Sequence, residues 1–438
     1  MGSLRARIAS GRRLTRVAVW STLSCVMNSC VRAALRRLAA LVFALGLSAG
    51  TLAAQAPGFV HTQGENIVDG TGHPILLRGI NLGNWFEVEG YMFHFDDGPQ
   101  SPHEIENLTR ELIGPEQADA FWIRWRQAYI TQADIDRIAG LGFNSVRVPL
   151  HYKFFTEDGS EGFRLIDQLV AWAARDHIYV ILDLHCAPGG QTGSNIDDSD
   201  GYPWLYGDQA AQASTIEVWR RIAAHYANNP TVLGYDLLNE PIPNWPRDEQ
   251  FNPDLEPVYK KIAAAIRAVD PNHTLILGGA QWDSNFSVFG PPFDKNVVYQ
   301  LHKYWMKTTD VSTIQPYLDF RARYHVPIWC GESGENNDAW IAGFRQTLEA
   351  NNVGWAFWTY KRMDTTSSVV SFDRPAHWEE IVQFAKLPPE TGNAEKRLAA
   401  RPPQADIAAA FADLLEKIQF TSEKVNAGYV QALGLKQR

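Results

Sequence analysis

The sequence predicts an α/β protein folded as a (β/α)8 barrel, the TIM-barrel architecture, on three observations. Eight short apolar or β-branched segments recur in order, most of them separated by stretches of helical periodicity. No glycine-rich phosphate loop follows the first segment, as it would in the competing architecture, an open doubly wound sheet. Polar and aromatic side chains collect at the C-terminal end of nearly every segment, where barrels of this kind carry their function.

Each element follows in turn. The stretch FVHTQGENIVDGTGHPILLRGINL, with turn signals at Asp69-Gly70 and Thr71-Gly72, predicts an N-terminal β-hairpin leading into the first barrel strand, LLRGINL. The other strands are NSVRVPL, YVILDLH, VLGYDLLNE, TLILGGA, VVYQLHKYW, PIWCGES and GWAFWTYK. Between them run LIDQLVAWAARDH, STIEVWRRIAAHYA, LEPVYKKIAAAIRAVD, IQPYLDFRARYH and AWIAGFRQTLEANN, whose apolar residues repeat every three to four positions. GFNS and PNHT, placed just before strands, are the short αβ turns such a barrel needs. The barrel unit is expected over residues 58–385, interrupted by a helix-bearing insertion from Asp96 to Tyr129. Residues 386–404 read as a Pro-rich linker and 405–438 as a short helical C-terminal extension. This tail is too short to bury a core of its own, so packing on the barrel is expected over a separate binding module.

Residues 1–54 differ from the rest, with eight Arg, no Lys and no acid. The run LVFALGLSAG followed by TLAAQA predicts a signal peptide and export to the periplasm or beyond, and the run is too short for a stable membrane anchor. Starting at Met27 gives a leader of ordinary length, while Arg12-Arg13 lack the strong apolar run that a twin-arginine signal requires. Without the leader, 32 basic residues face 49 acidic ones, a net charge of −17. That charge disfavours nucleic acid and anionic membranes and suits a neutral substrate; a monomer is expected. Cys186 and Cys330 fall on distant strands and are expected as buried thiols.

Polar groups inside a strand are costly without partners, so those at strand ends define the candidate site. In strand order they are Asn81 and Trp85, Arg147 and His151, Asp183 and His185, Asn239 and Glu240, Gln281 and Trp282, His302 with Tyr304 and Trp305, Glu332, and Trp358 with Lys361. Singly, Arg147 reads equally as a core ion pair, and His185 or His302 as a satisfied core histidine. Together they do not.

Glu240 and Glu332, 92 residues apart, would face each other across the mouth from the fourth and seventh strands. Two carboxylates flanking a bond are what glycoside hydrolysis needs, and a retaining enzyme holds them roughly 5 Å apart. Glu332 as nucleophile requires a cation or donors, with Arg147 and Tyr304 as candidates. Glu240 as acid needs a raised pKa, expected from burial and from its partner's charge, with His302 tuning the proton. Asn239 is positioned to bond a sugar 2-hydroxyl. No cofactor and no metal are expected: there is no H-E-x-x-H, and the NIDDSDG cluster lacks the Gly and bidentate Glu of a calcium loop. Trp85, Trp204, Trp282, Trp305 and Trp358 fall at strand ends, where flat rings stack on a pyranose, whereas Trp122, Trp125, Trp172 and Trp219 sit in helical patterns and read as core.

In family order, RGINLGNW, LGFNSVRVPL, VILDLHCAPGGQ, LLNEP, LHKYW, CGESG and WAFWTYK resemble glycoside hydrolase family 5, the cellulase-like clan A barrels. The resemblance implies a retaining β-glycosidase with Glu240 as acid/base, Glu332 as nucleophile, and Arg147, His185, Asn239, His302, Tyr304 and Trp358 around the sugar that donates its anomeric carbon. INLGNWFEVEGY and LDLHCAPGGQTGSNIDDS look most like the exo-β-1,3-glucanase branch, which implies that Glu89 and Asp197 or Asp198 grip the non-reducing-end sugar. Trp85, Trp282, Trp305 and Lys361 complete the expected substrate-binding set. The alternatives are an endo-acting β-1,4-glucanase or mannanase of the same family, or a non-catalytic carbohydrate-binding barrel.

Overall fold

The computed structural model describes residues 58–387 and 394–435; the predicted leader, with both possible starts, lies outside them. Eight parallel strands close into a barrel in the order β10-β3-β4-β5-β6-β7-β8-β9, which excludes the open sheet. They are β3 (Arg78–Asn81), β4 (Ser145–His151), β5 (Tyr179–Cys186), β6 (Val232–Asp236), β7 (Thr274–Gly278), β8 (Val297–Tyr304), β9 (Ile328–Gly334) and β10 (Gly354–Phe357). All eight coincide with the predicted segments. The alternation fails only after β7, where Ala280 to Asn296 form short turns in place of a long helix.

Helices α1 (Pro102–Ile113), α2 (Pro115–Tyr129), α3 (Gln132–Leu141), α4 (Glu161–Arg175), α5 (Gln209–Tyr226), α6 (Asn252–Arg267), α7 (Gln315–Tyr324), α8 (Asp338–Ala350) and α9 (Trp378–Ala385) surround it. Their boundaries follow from local chemistry. Ser101 and Glu104 form a reciprocal capping box ahead of α1, with Pro102 in the first turn, and Gly142 ends α3 in the left-handed conformation. In α4 the apolar stripe Phe163, Ile166, Leu169, Val170 and Ala173 faces the barrel, each large side chain contributing about 2 kcal/mol by leaving water.

The hairpin β1 (His61–Gln63) and β2 (Asn66–Val68) turns at Gly64-Glu65, one turn earlier than predicted. Asp69 to Gly72 make the next turn, closed by Gly72 N–H donating to Asp69 O at 2.9 Å. The hairpin covers the end of the barrel opposite the strand C-termini: Val60 and Ile67 pack with Leu77, Ile181, Leu233, Ile276, Val298 and Trp329, the bottom layer of the interior.

The C-terminal region corrects the prediction in detail. Within the stretch expected to be a linker, Ala394–Ala399 form a helix, α10, and its Arg397 pairs with Glu111 of α1 at 2.6 Å. The extension does pack on the barrel, as helices α11 (Gln404–Lys417) and α12 (Ala427–Ala432), but it also supplies a strand. That strand, β13 (Lys424–Val425), pairs antiparallel with β12 (Val370–Phe372), itself paired with β11 (Lys361–Met363). Cys186 and Cys330 are both free and buried, on β5 and β9 as expected.

Candidate active site

A cavity of about 550 Å³ opens at the C-terminal mouth of the barrel. Arg147, fully buried on β4, organises its floor. Its Nε donates to Asp236 at 2.8 Å, its Nη1 to Asn81 at 3.0 Å and to Glu332 Oε1 at 2.6 Å, and its Nη2 to Asn239 Oδ1 at 2.9 Å. Asp183 lies 3.1 Å from Nη2. Burial alone would lower the Arg147 pKa, but the three carboxylates outweigh it and the net shift is upward. Asp183 and Asp236 are each pushed up to about 7, because burial opposes their charge more than Arg147 supports it.

This hub fixes the neighbouring groups. Since Arg147 can only donate, Asn239 turns Oδ1 to it and its amide nitrogen to His185 Nε2, 3.1 Å away. His185 therefore accepts there and carries its proton on Nδ1, 2.8 Å from Asp183. Burial holds this imidazole neutral, with a pKa lowered to about 4. The second proton of the Asn239 amide is left for the cavity, which Asn239 lines.

Glu332 sits on β9 with both oxygens engaged: Arg147 donates to Oε1, and the Tyr304 hydroxyl to Oε2 at 2.8 Å. A register shift between Leu301 and His302 pairs His302 with Glu332, setting the imidazole between the two carboxylates. His302 Nδ1 is 3.0 Å from Glu240 Oε1 and 3.7 Å from Glu332, and Nε2 is 3.2 Å from Asp283. Burial lowers the His302 pKa to about 3, so this ring is also neutral. Single ligating atoms of Glu240, His302 and Glu332 all lie within 4.8 Å of one another.

Glu240 is set differently. Strand β6 ends at Asp236, and the chain runs on along its neighbours, Leu237 N–H donating to Ile276 O and Asn239 N–H to Leu184 O, both at 3.1 Å. Glu240 then takes a positive φ of 45°, as do Ile242, Gln281, Trp282, Trp305 and Glu335 around the same rim. Residues held in this sparsely populated region cluster where function fixes the backbone. Burial pushes the Glu240 carboxyl up to about 7; Arg147 acts in the opposite direction, and the partner carboxylate is not among the causes, contrary to the expectation.

Trp358 forms one wall, stacked on His185 at 5.8 Å, with Nε1 donating to the Tyr91 hydroxyl at 2.7 Å. Gly83 lies against the indole so closely that a Cβ there would stand 2.5 Å from the ring. Trp282 and Trp305 also line the cavity, Trp305 with 67% of its surface exposed. Glu89 lines it too, buried to 6%.

Four expected binding residues are placed elsewhere. Lys361 lies beyond the end of β10, on β11, fully buried, 3.3 Å from Asp134 and in contact with Glu423, so it braces the C-terminal extension. Trp85 is buried against the insertion, donating to Arg126 O at 2.7 Å. Asp197 accepts from Thr192 N–H and from Ser199, while Asp198 holds His103 at 2.7 Å and His151 at 2.8 Å, so both carboxylates turn into the protein and neither lines the cavity. Asp236, Gln300, Asp283, Tyr91 and Glu335 were missed. A charged or amide residue inside an apolar strand was the available signal for Asp236 and Gln300, which bond each other at 2.6 Å.

Residues 106–364 match the family model described as Cellulase (glycosyl hydrolase family 5), more than half of the chain. The chain belongs to glycosyl hydrolase family 5. A β-xylosidase of Phanerodontia chrysosporium is 31% identical to this family 5 chain over 361 residues, covering 72% of the chain and 74% of that protein. A probable glucan 1,3-β-glucosidase A of Aspergillus fumigatus is 30% identical over 241 residues, covering 53% of the chain and 56% of the relative's length. In fold, it resembles rutinosidase from Aspergillus niger (TM-score 0.53, 19% identity, 66% of this chain and 90% of that one) and endogalactoceramidase (TM-score 0.55, 17% identity, 86% and 84%). The family 5 protein is thus a glycoside hydrolase, a β-glycosidase of the retaining kind. No helix among the described residues is long and apolar enough to cross a membrane.

Proposed function

We propose that this enzyme is exported and releases β-linked glucosyl units from a glucan or oligosaccharide by double displacement, with Glu332 as nucleophile and Glu240 as acid/base. The observation that carries the assignment is the asymmetry of two carboxyls whose oxygens lie within 4.8 Å. That separation fits the roughly 5 Å of a retaining pair and leaves no room for the water of an inverting one. Glu332 accepts from a guanidinium and a phenol, which aim it as a fixed anion; Glu240 is held protonated near neutral pH by burial.

In the first step, a Glu332 oxygen attacks the anomeric carbon as the glycosidic bond breaks, and Glu240 gives its proton to the leaving oxygen. In the second, Glu240 takes a proton from water, which attacks the same carbon and releases Glu332 from the ester. The free proton of the Asn239 amide meets the 2-hydroxyl, and Trp358 supports the ring. The names of the two curated relatives support a β-glucoside or β-xyloside as substrate class.

The test uses azide. Glu332→Ala should lose hydrolysis and, with azide, form the α-glycosyl azide of inverted configuration. Glu240→Ala with azide should form the β-azide. Full hydrolysis by the Glu332 variant would overturn the assignment.

A further inference from the structure

Beyond the catalytic groups, the cavity has a charged wall, made of Glu89, Tyr91 and Glu335, that the reaction as derived does not use. Glu89 follows β3, Glu335 follows β9, and Arg362 lies just past β10; together they flank β10, the strand diametrically opposite β6 in the barrel order. Glu335 is three-quarters or more buried, its side chain 16% exposed, and Arg362 Nη1 holds it at 2.8 Å. The Arg362 guanidinium in turn lies over the Tyr91 ring, 4.5 Å from its centre, and Tyr91 accepts from Trp358. Among the described residues, nothing hydrogen-bonds to the Glu89 carboxyl, although that residue is 6% exposed and faces the cavity. Buried polar groups normally have partners, so one without, aimed into a cavity, points to a ligand.

The placement says which part of the ligand. With the anomeric carbon between Glu240 and Glu332 and the 2-hydroxyl at Asn239, the far end of the pyranose points away from β6 and toward β10. We propose that Glu335, held by Arg362 over Tyr91, is a specificity-determining residue that, with Glu89, hydrogen-bonds the 4-hydroxyl and the C5 hydroxymethyl of the terminal sugar and shuts out a C5 carboxylate. This rests on the catalytic assignment above. Burial raises the pKa of both carboxyls, and the Arg362 guanidinium acts in the opposite direction on each. The wall therefore sets two carboxyls, one of them already paired with Arg362, against the far end of the sugar, where hydroxyls find partners and a further carboxylate does not.

The experiment compares wild type and Glu335→Gln on an aryl β-glucoside and its 4-deoxy and 6-deoxy forms. A hydrogen bond to a charged group corresponds to about ten- to hundred-fold in kcat/KM. Wild type should lose that factor on at least one deoxy substrate, and Glu335→Gln should lose it on the parent but little more on that deoxy form, because the partners are coupled. An equal loss on all three substrates would overturn the proposal. A second comparison needs no variant: wild type should turn over the aryl β-glucuronide at least a hundred-fold more slowly than the glucoside, and rates within threefold would overturn it. If instead Glu332→Ala keeps full activity, the catalytic assignment itself has failed, a result separate from either of these.

Discussion

Replacing Glu240 with Gln tests in one variant whether burial keeps this carboxyl protonated. The folded-state pKa is pushed up to about 7 from 4.5, a difference worth about 3 kcal/mol at 1.36 kcal/mol per unit. Below pH 4 both folded and unfolded chains hold the proton and the group contributes nothing. As pH rises past 4.5, the unfolded chain releases its proton while the folded one keeps it, so folding stability falls, and the full cost is reached above pH 7. Glu240→Gln cannot ionise and escapes that cost. In urea unfolding, its stability relative to wild type should therefore improve by about 3 kcal/mol between pH 4 and pH 8. In parallel, the alkaline limb of kcat/KM near pH 7 should vanish. With a poor, sugar-like leaving group the variant should lose about 10²–10⁴-fold in rate, and much less with an activated aryl group. A stability difference independent of pH, or an unchanged alkaline limb, would refute the reasoning.

Other expectations follow from the same contacts. Arg147→Met leaves Asp183, Asp236 and Glu332 without their shared cation, and should cost about 3–5 kcal/mol in unfolding free energy as well as activity. Tyr304→Phe removes the donor to Glu332 Oε2 and should lower kcat/KM by about ten- to hundred-fold with an unchanged melting temperature. Glu423→Ala deprives the buried Lys361 of one of its two carboxylates and should destabilise the fold by about 3 kcal/mol, read by thermal unfolding; an unchanged melting temperature would contradict the brace.

The barrel was legible because its signals are local and repeated: each strand is an apolar run, and β6 and β9 announce themselves by Glu240 shortly past the end of one and Glu332 near the end of the other. Arg147, His302 and Tyr304 were legible as partners because they share strand ends with no apolar reason to be there. Lys361 was misplaced for a physical reason. WAFWTYK reads as one strand, but the regular strand ends at Phe357 and Lys361 opens the separate strand β11, and the side chain's partner, Glu423, arrives from the far end of the chain. Trp85 and Asp198 are likewise captured by the 96–129 insertion, through Arg126 and His103, contacts that no periodicity reveals. Glu335 stands three residues past Glu332, and only the closure of the barrel brings it beside Arg362 and Tyr91.

Trapping the covalent intermediate tests the central claim most directly. The enzyme is incubated with 2-deoxy-2-fluoro-β-glucosyl and β-xylosyl fluorides, digested, and its peptides weighed. One fluorosugar on the peptide carrying Glu332, lost on reactivation with an acceptor, is the predicted result. A label on Glu240, or turnover of both reagents with no labelled peptide, would contradict it.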